Sequence, residues 1–239
     1  MNYILAKREK LEFFTIPQLN ENDFLIYGFT TKNWTKKSLI ENFNLEKFSI
    51  LSLRQIHSDK FHIIEKTPNK ILRGDALITS RPYILFTIRT ADCLPILLFD
   101  PKKRVIGAIH SGWRGTVKQI TKKVVKKMIT SLGISSSSLF AFLGPCICQK
   151  CYQVGREVKE MLEMNLPKYN SFLVSTRESE KHFLDLRKAN IIQLNQAVLK
   201  DTNIINIELC TKCNPRLFHS YRREPHTKGR MLAFVGIRG

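Results

Sequence analysis

Three short apolar runs lie close together in the middle of the chain and constrain it most: YILFTIR (83–89), LPILLF (94–99) and VIGAIH (105–110). Each has the length and residue types of a strand, and the turn Asp100-Pro101-Lys102-Lys103 separates the last two. A helical pattern follows. From Gly115 to Leu132, Val117, Ile120, Val124, Met128 and Leu132 recur on one face. Lys118, Lys122, Lys123, Lys126 and Lys127 fill the other face, and Gly133 sits where a C-terminal cap belongs. Further helices are expected near 153–164 and from the N-cap residue Asp185 to about Lys200. Strands are expected at 61–64, 204–209 and 231–237, with Ser135 to Ser138 as a loop before another at 139–144. This mixture predicts an α+β fold of mixed β-sheets with packed helices. No repeat, linker or composition break divides the 239 residues, so one domain over 1–239 is expected.

Charge adds a preference for anions. The chain carries 39 Lys+Arg against 20 Asp+Glu, a formal charge of +19. The lysine-rich helix face reads better as a solvated face opposite an apolar stripe than as a nucleic-acid surface, because no recognition motif accompanies it. The N-terminal stretch has Lys and Glu where a secretory signal is apolar, and Cys93 to Phe99 is too short to span a bilayer. A cytoplasmic protein without membrane partners is expected, its six cysteines held as free thiols or metal ligands.

Cys93 and His110 are the first candidates for chemistry. A hairpin centred between Pro101 and Lys102 sets Cys93 directly opposite His110, close enough for both side chains to reach one metal ion. His110 opens Ser111-Gly112-Trp113-Arg114-Gly115, whose glycines permit close backbone approach or unusual φ, and which leads into a helix N-terminus suited to an anion. Asp92 and Arg89 crowd the same junction. A zinc site with an open position needs a third ligand, and spacing alone does not separate His57 from His219. Cys146, Cys148 and Cys151 with Cys210 and Cys213 offer five thiols for a structural zinc site. The first cluster is irregular, however, and Asn214-Pro215 follows Cys210-x-x-Cys213 where a redox motif opens a helix. Phe218 to Arg223, with Lys228 and Arg230, forms a donor-rich stretch able to hold a phosphate.

QIH (55–57), GDALIT (74–79), TADCLP (90–95), HSGWRG (110–115), GP…CYQVG (144–155) and SYRR…GRM (220–231) occur in this order. Together they resemble the YfiH-like family, also called the multicopper polyphenol oxidoreductase or laccase-domain family, some of whose members are called peptidoglycan-editing factors. The resemblance runs from about residue 53 to residue 237. It implies an α+β fold and a metal site of His57, Cys93 and His110, with zinc as the cofactor. It also implies action on purine nucleosides: phosphorolysis of adenosine, inosine and methylthioadenosine, and deamination of adenosine. Six histidines are too few for a multicopper cluster, so zinc is preferred to copper. Ser58, Ser111, Cys148 and Gln153 stand where the family usually has Gly, Ala, Gly and Glu.

On this reading the partners are a small-molecule nucleoside and phosphate. Asp75 or Asp92 is the candidate for proton transfer beside Cys93 and His110. Arg222, Arg223 and Arg230 are the candidates for holding phosphate. The alternatives are an amide hydrolase editing peptidoglycan precursors, with Cys93 as a possible nucleophile, a nucleic-acid-binding protein and a copper polyphenol oxidase.

Overall fold

The computed structural model describes residues 3–19, 22–175 and 181–239. Two six-stranded sheets pack face to face. The first runs Ile4–Arg8, Leu11–Thr15, Leu25–Thr30, Met231–Ile237, Ile84–Thr90, Ser49–Ser52. The second runs Ile204–Asn206, Phe140–Leu143, Leu94–Asp100, Val105–Ser111, Ala76–Thr79, Phe61–Ile63. Neighbours are antiparallel except Ser49–Ser52 in the first sheet and both outermost pairs of the second. A small antiparallel sheet of Gln153–Val154, His182–Leu184 and Leu173–Ser175 lies apart from these. The architecture is α+β.

The layering explains the apolar runs. Leu97 and Phe99 enter the core between the sheets with Phe86, Ile106, Phe142 and Val235. Ile96 and Leu98, pointing the other way, meet Val124, Val125 and Met128 of helix Ile120–Leu132 and Leu194 of helix Leu186–Gln196. A strand covered on both faces has no polar side to alternate with. The first sheet carries helix Lys36–Phe43 on its outer face, where Leu39 and Phe43 pack on Phe13, Leu85 and Phe234. Thr35 and Ser38 close a reciprocal capping box at that helix's start.

The long basic helix is two helices, Trp113–Val117 and Ile120–Leu132, broken at Gln119 with φ 58°. Thr116 O at the break accepts from Gln119 N at 3.0 Å and also from Gln193 Nε2 at 2.8 Å, which ties the turn to helix Leu186–Gln196. The apolar stripe is buried up to Met128 and Gly133 is left-handed at the end, both as expected. Helix Arg156–Asn165 starts three residues later than the pattern suggested, because Gln153–Val154 forms a strand. Asp185 does cap its helix, accepting from Lys188 N, but that helix stops at Gln196.

The hairpin register also differs from the sequence expectation. Asp100 pairs with Val105, and Pro101 to Arg104 form a four-residue loop with Arg104 left-handed at φ 49°. His110 therefore faces Pro95, and Cys93 lies two residues further along. Side chains alternate with period two, so this shift leaves Cys93 and His110 on the same face.

Candidate metal centre and active site

The strand register of the second sheet gathers four chain segments at one end. Phe61 pairs with Ala76, Ala76 with Ile109, and Ile96 also with Ile109. The residues at the ends of these strands, Asp75, Cys93 and His110, and the His57 turn before Phe61 thereby meet. One ligand atom each from His57, Cys93 and His110 lies within 4.8 Å of the others. The two imidazoles stand edge to face with ring centroids 4.9 Å apart. His57 is exposed, Cys93 half-buried and His110 buried, so the cluster opens to solvent on the His57 side.

Asp75, fully buried, organises two of these candidate ligands. Its Oδ1 meets His110 Nδ1 at 2.9 Å and accepts from His57 N at 3.0 Å. Its Oδ2 accepts from Ser58 N at 2.6 Å and Ser58 Oγ at 2.7 Å. The N–H bonds hold the His57 turn, where His57 itself is left-handed at φ 56°. With Nδ1 engaged, His110 presents Nε2 to the cluster, the arrangement by which a carboxylate orients a metal-binding histidine.

The electrostatics favour an ion pair in the metal-free site. Burial opposes ionisation of Cys93, but His110 and His57 outweigh it and bring the thiol down to about 6. Burial likewise opposes a charge on His110, yet Cys93 and Asp75 raise it to about 9. Asp75, despite burial, is lowered to about 2 by the hydrogen bonds from His110 and Ser58.

Gly112 is needed for space. A Cβ there would sit 2.8 Å from Cys93 Sγ and 3.3 Å from His57 Cδ2. Its φ is −83°, so close approach and not unusual backbone explains this glycine. Ser111 enters a buried network instead: Asn190 Oδ1 accepts from Ser111 Oγ at 2.9 Å and Thr121 Oγ1 at 2.6 Å, and Asn190 Nδ2 donates to Thr116 Oγ1 at 3.1 Å. This network anchors the chain immediately after His110. The helix that follows has only five residues.

The other expected residues separate into different roles. Asp92, left-handed at φ 91°, accepts from Thr211 Oγ1 at 2.6 Å and from Arg222 N at 2.7 Å. It ties the C-terminal turn to the strand junction beside Cys93. Arg222 places its Cζ 5.1 Å from the Tyr152 ring centroid and donates to Gln153 O at 2.7 Å.

The three arginines do not form one phosphate site. Arg223 donates to the carbonyls of Thr211, Lys212 and Phe218 and pairs with Glu224, which makes it a staple of its own turn. Arg230 bonds the carbonyls of Thr227 and Gly229 and lines a cleft of about 1140 Å³ with Arg54, Arg73, Arg89 and His219. None of His57, Cys93 or His110 lines that cleft, and His219 belongs there and not with the ligand cluster.

Tyr152, whose ring lies under Arg222, is a neighbour of the cluster that pattern reading did not single out. Burial, with Cys93 nearby, keeps its phenol protonated well above the ordinary range. Only its place in the CYQVG motif marks it in the sequence. No helix among the described residues is long and apolar enough to cross a membrane.

Residues 32–238 match the family model described as multi-copper polyphenol oxidoreductase laccase. A purine nucleoside phosphorylase of Clostridium acetobutylicum is 30% identical over 95% of this chain and 98% of its own. The purine nucleoside phosphorylase YlmD of Bacillus subtilis is 33% identical over 69% of this chain, a stretch that spans 59% of that relative. The adenosine deaminase RL5, from an unknown prokaryotic organism, is 35% identical over 77% of this chain and 72% of its own. Among solved structures, YlmD from Geobacillus stearothermophilus superposes over all of both chains with a TM-score of 0.87 at 26% identity. The YfiH protein of Bacillus licheniformis covers 99% of each chain with a TM-score of 0.86 at 25% identity. The match over residues 32–238, the identity to relatives over most of the chain and the shared architecture agree: the chain belongs to the YfiH-like family, the multi-copper polyphenol oxidoreductase laccase family of the matching model.

Proposed function

We propose that the chain is a zinc-dependent purine nucleoside enzyme, with phosphorolysis as its main reaction and deamination of adenosine as its second. The observation that carries this reading is the convergence of His57, Cys93 and His110 at one solvent-facing point, with Asp75 behind them. Two imidazoles and one thiol suit zinc, and three protein ligands leave a fourth position for a reactant. When bound there, the metal supplies Lewis acidity.

The chain's own groups would then divide the work. Asp75 accepts from His110, His57 and Ser58, so it serves as a positioning residue and not as the proton shuttle. Asp92 is likewise engaged with Thr211 and Arg222 and positions the rim. Tyr152, kept protonated by burial and carrying Arg222 on its ring, is the group we assign to hydrogen-bond a leaving purine. Arg222 keeps guanidinium donors beyond the one on Gln153 O and is our candidate for the phosphate, which would attack C1′ of the ribose. Arg223, held by three carbonyls, is left out of that role.

The relatives named as purine nucleoside phosphorylases support the first reaction, and the one named as an adenosine deaminase supports the second. The test is chromatography of products after incubation with adenosine, with and without phosphate, alongside Cys93→Ala protein. Adenine formed only with phosphate is the expected result. Inosine alone would replace phosphorolysis by deamination. Full activity in the Cys93→Ala chain would end the metal-site reading.

A further inference from the structure

Four of the remaining cysteines make a second cluster. They form two Cys-x-x-Cys pairs, Cys148-Gln149-Lys150-Cys151 and Cys210-Thr211-Lys212-Cys213, whose members meet across 62 residues of sequence. All four Sγ atoms lie within 4.8 Å of one another, and among the described residues no histidine or carboxylate joins them. A tetrahedral zinc with Zn–S bonds of about 2.3 Å has sulfurs about 3.8 Å apart. The Cys151 and Cys213 sulfurs, at 3.3 Å, are far beyond a disulfide bond of about 2.05 Å and need only a side-chain adjustment to reach that spacing.

Backbone hydrogen bonds hold both Cys-x-x-Cys segments in place. Cys146 and Cys210 form a parallel bridge, with Cys146 N donating to Leu209 O and Thr211 N to Cys146 O. Gln149–Cys151 is a single tight turn, in which Cys151 N donates to Cys148 O at 3.0 Å. Cys148 N points at Cys210 Sγ from 3.3 Å, a contact that stabilises negative charge on sulfur. Cys146 does not join, because its own Sγ lies against Ile147 O.

We propose that Cys148, Cys151, Cys210 and Cys213 bind a structural zinc ion as a closed tetrathiolate. The site has four protein ligands and no open position, in contrast to the centre at His57, Cys93 and His110. It clamps two segments that border that centre. Tyr152 follows Cys151 and carries Arg222 on its ring. Thr211, inside the second pair, donates to Asp92 next to Cys93. Loss of the zinc would therefore loosen the Tyr152–Arg222–Asp92 rim. The inference does not depend on which reaction the enzyme performs.

Metal analysis of protein purified without a chelating tag or added oxidant tests it. Wild type is expected to hold two zinc ions per chain, Cys93→Ala one and Cys213→Ser one. Cys213 is exposed, so its replacement leaves the core intact. Native alkylation of wild type, with and without a strong chelator, is the second measurement: the chelator should add four reactive thiols from this cluster, identified by peptide mapping. Zinc content in Cys213→Ser equal to wild type would overturn the proposal. So would a Cys151–Cys213 disulfide in the untreated protein, or cluster thiols that alkylate equally without chelator. Iron in place of zinc would overturn the choice of metal.

Discussion

Asp75 and His110 are joined twice: Asp75 O accepts His110 N at 2.7 Å, and Asp75 Oδ1 meets His110 Nδ1 at 2.9 Å. The first bond belongs to the sheet's end and fixes the backbone, while the second fixes the imidazole's rotation and tautomer. One buried residue thus sets both the position and the direction of a candidate metal ligand, and its remaining lone pairs hold the turn that carries His57.

Asp75→Asn should therefore weaken zinc binding at this centre by about 10–100-fold while keeping its volume. The amide has only one acceptor oxygen for donors that now use two. Competition against a fluorescent chelator gives the affinity. An unchanged value would remove Asp75 from the positioning role.

Gly112→Ala should disturb Cys93 and His57 directly, because the new methyl would stand 2.8 Å from the thiol. We expect at least tenfold weaker zinc binding and a stability loss of about 1–3 kcal/mol from overpacking. Denaturant titration and metal analysis of the same preparation check both. Wild-type zinc affinity would show that the thiol has room to move aside.

Zinc uptake at this centre should depend on pH in a defined direction. Between about 6 and 9 the metal-free pair holds Cys93 as thiolate and His110 as imidazolium. Binding in that window expels the His110 proton, so the pair makes affinity rise about tenfold per pH unit. Below about 6 the Cys93 proton must leave as well and the dependence steepens. Calorimetry of the Cys213→Ser chain at pH 7.5, in buffers of different ionisation enthalpy, should count at least one released proton. Release of none would contradict the ion pair.

The two neighbouring arginines should separate cleanly. Arg223→Ala removes bonds to three carbonyls and should cost about 1.5–3 kcal/mol of stability, seen as a lower Tm. Arg222→Ala should instead raise the KM for phosphate about tenfold with a small change in Tm. Equal phosphate effects from both would mean that Arg223 leaves its carbonyls to bind substrate.

Asn190→Ala tests the buried network behind the site. Ser111, Thr116 and Thr121 all bond the Asn190 amide, and each hydroxyl left without a partner costs about 1–3 kcal/mol. Ser111 and Thr116 already lie 3.0 Å apart and can pair, so a total loss of about 3 kcal/mol is expected. Thermal unfolding within 1 °C of wild type would show that the network contributes nothing.

The residue pattern alone carried much of this molecule. The apolar runs, the stripe from Val117 to Met128, the Gly133 cap and the Asp185 N-cap are local features, written in spacing of two or 3.6 residues. The same periodicity placed Cys93 and His110 on one face even though the turn was off by one residue, because a two-residue slip preserves the side. The motifs named His57 as third ligand where spacing left His219 equal.

Tertiary structure decided what depends on distant partners. Asp75 became the support for two candidate ligands because strand register sets it beside His110, 35 residues away. Arg223 was lost to its own turn, and Arg230 to a cleft without the ligand histidines, since a donor's availability depends on which carbonyls fold around it. The irregular cysteines resolved into two pairs only when the parallel bridge at Cys146 and Cys210 left Cys146 turned aside. Short-range periodicity reads out which way a side chain points, whereas long-range pairing determines what it meets there.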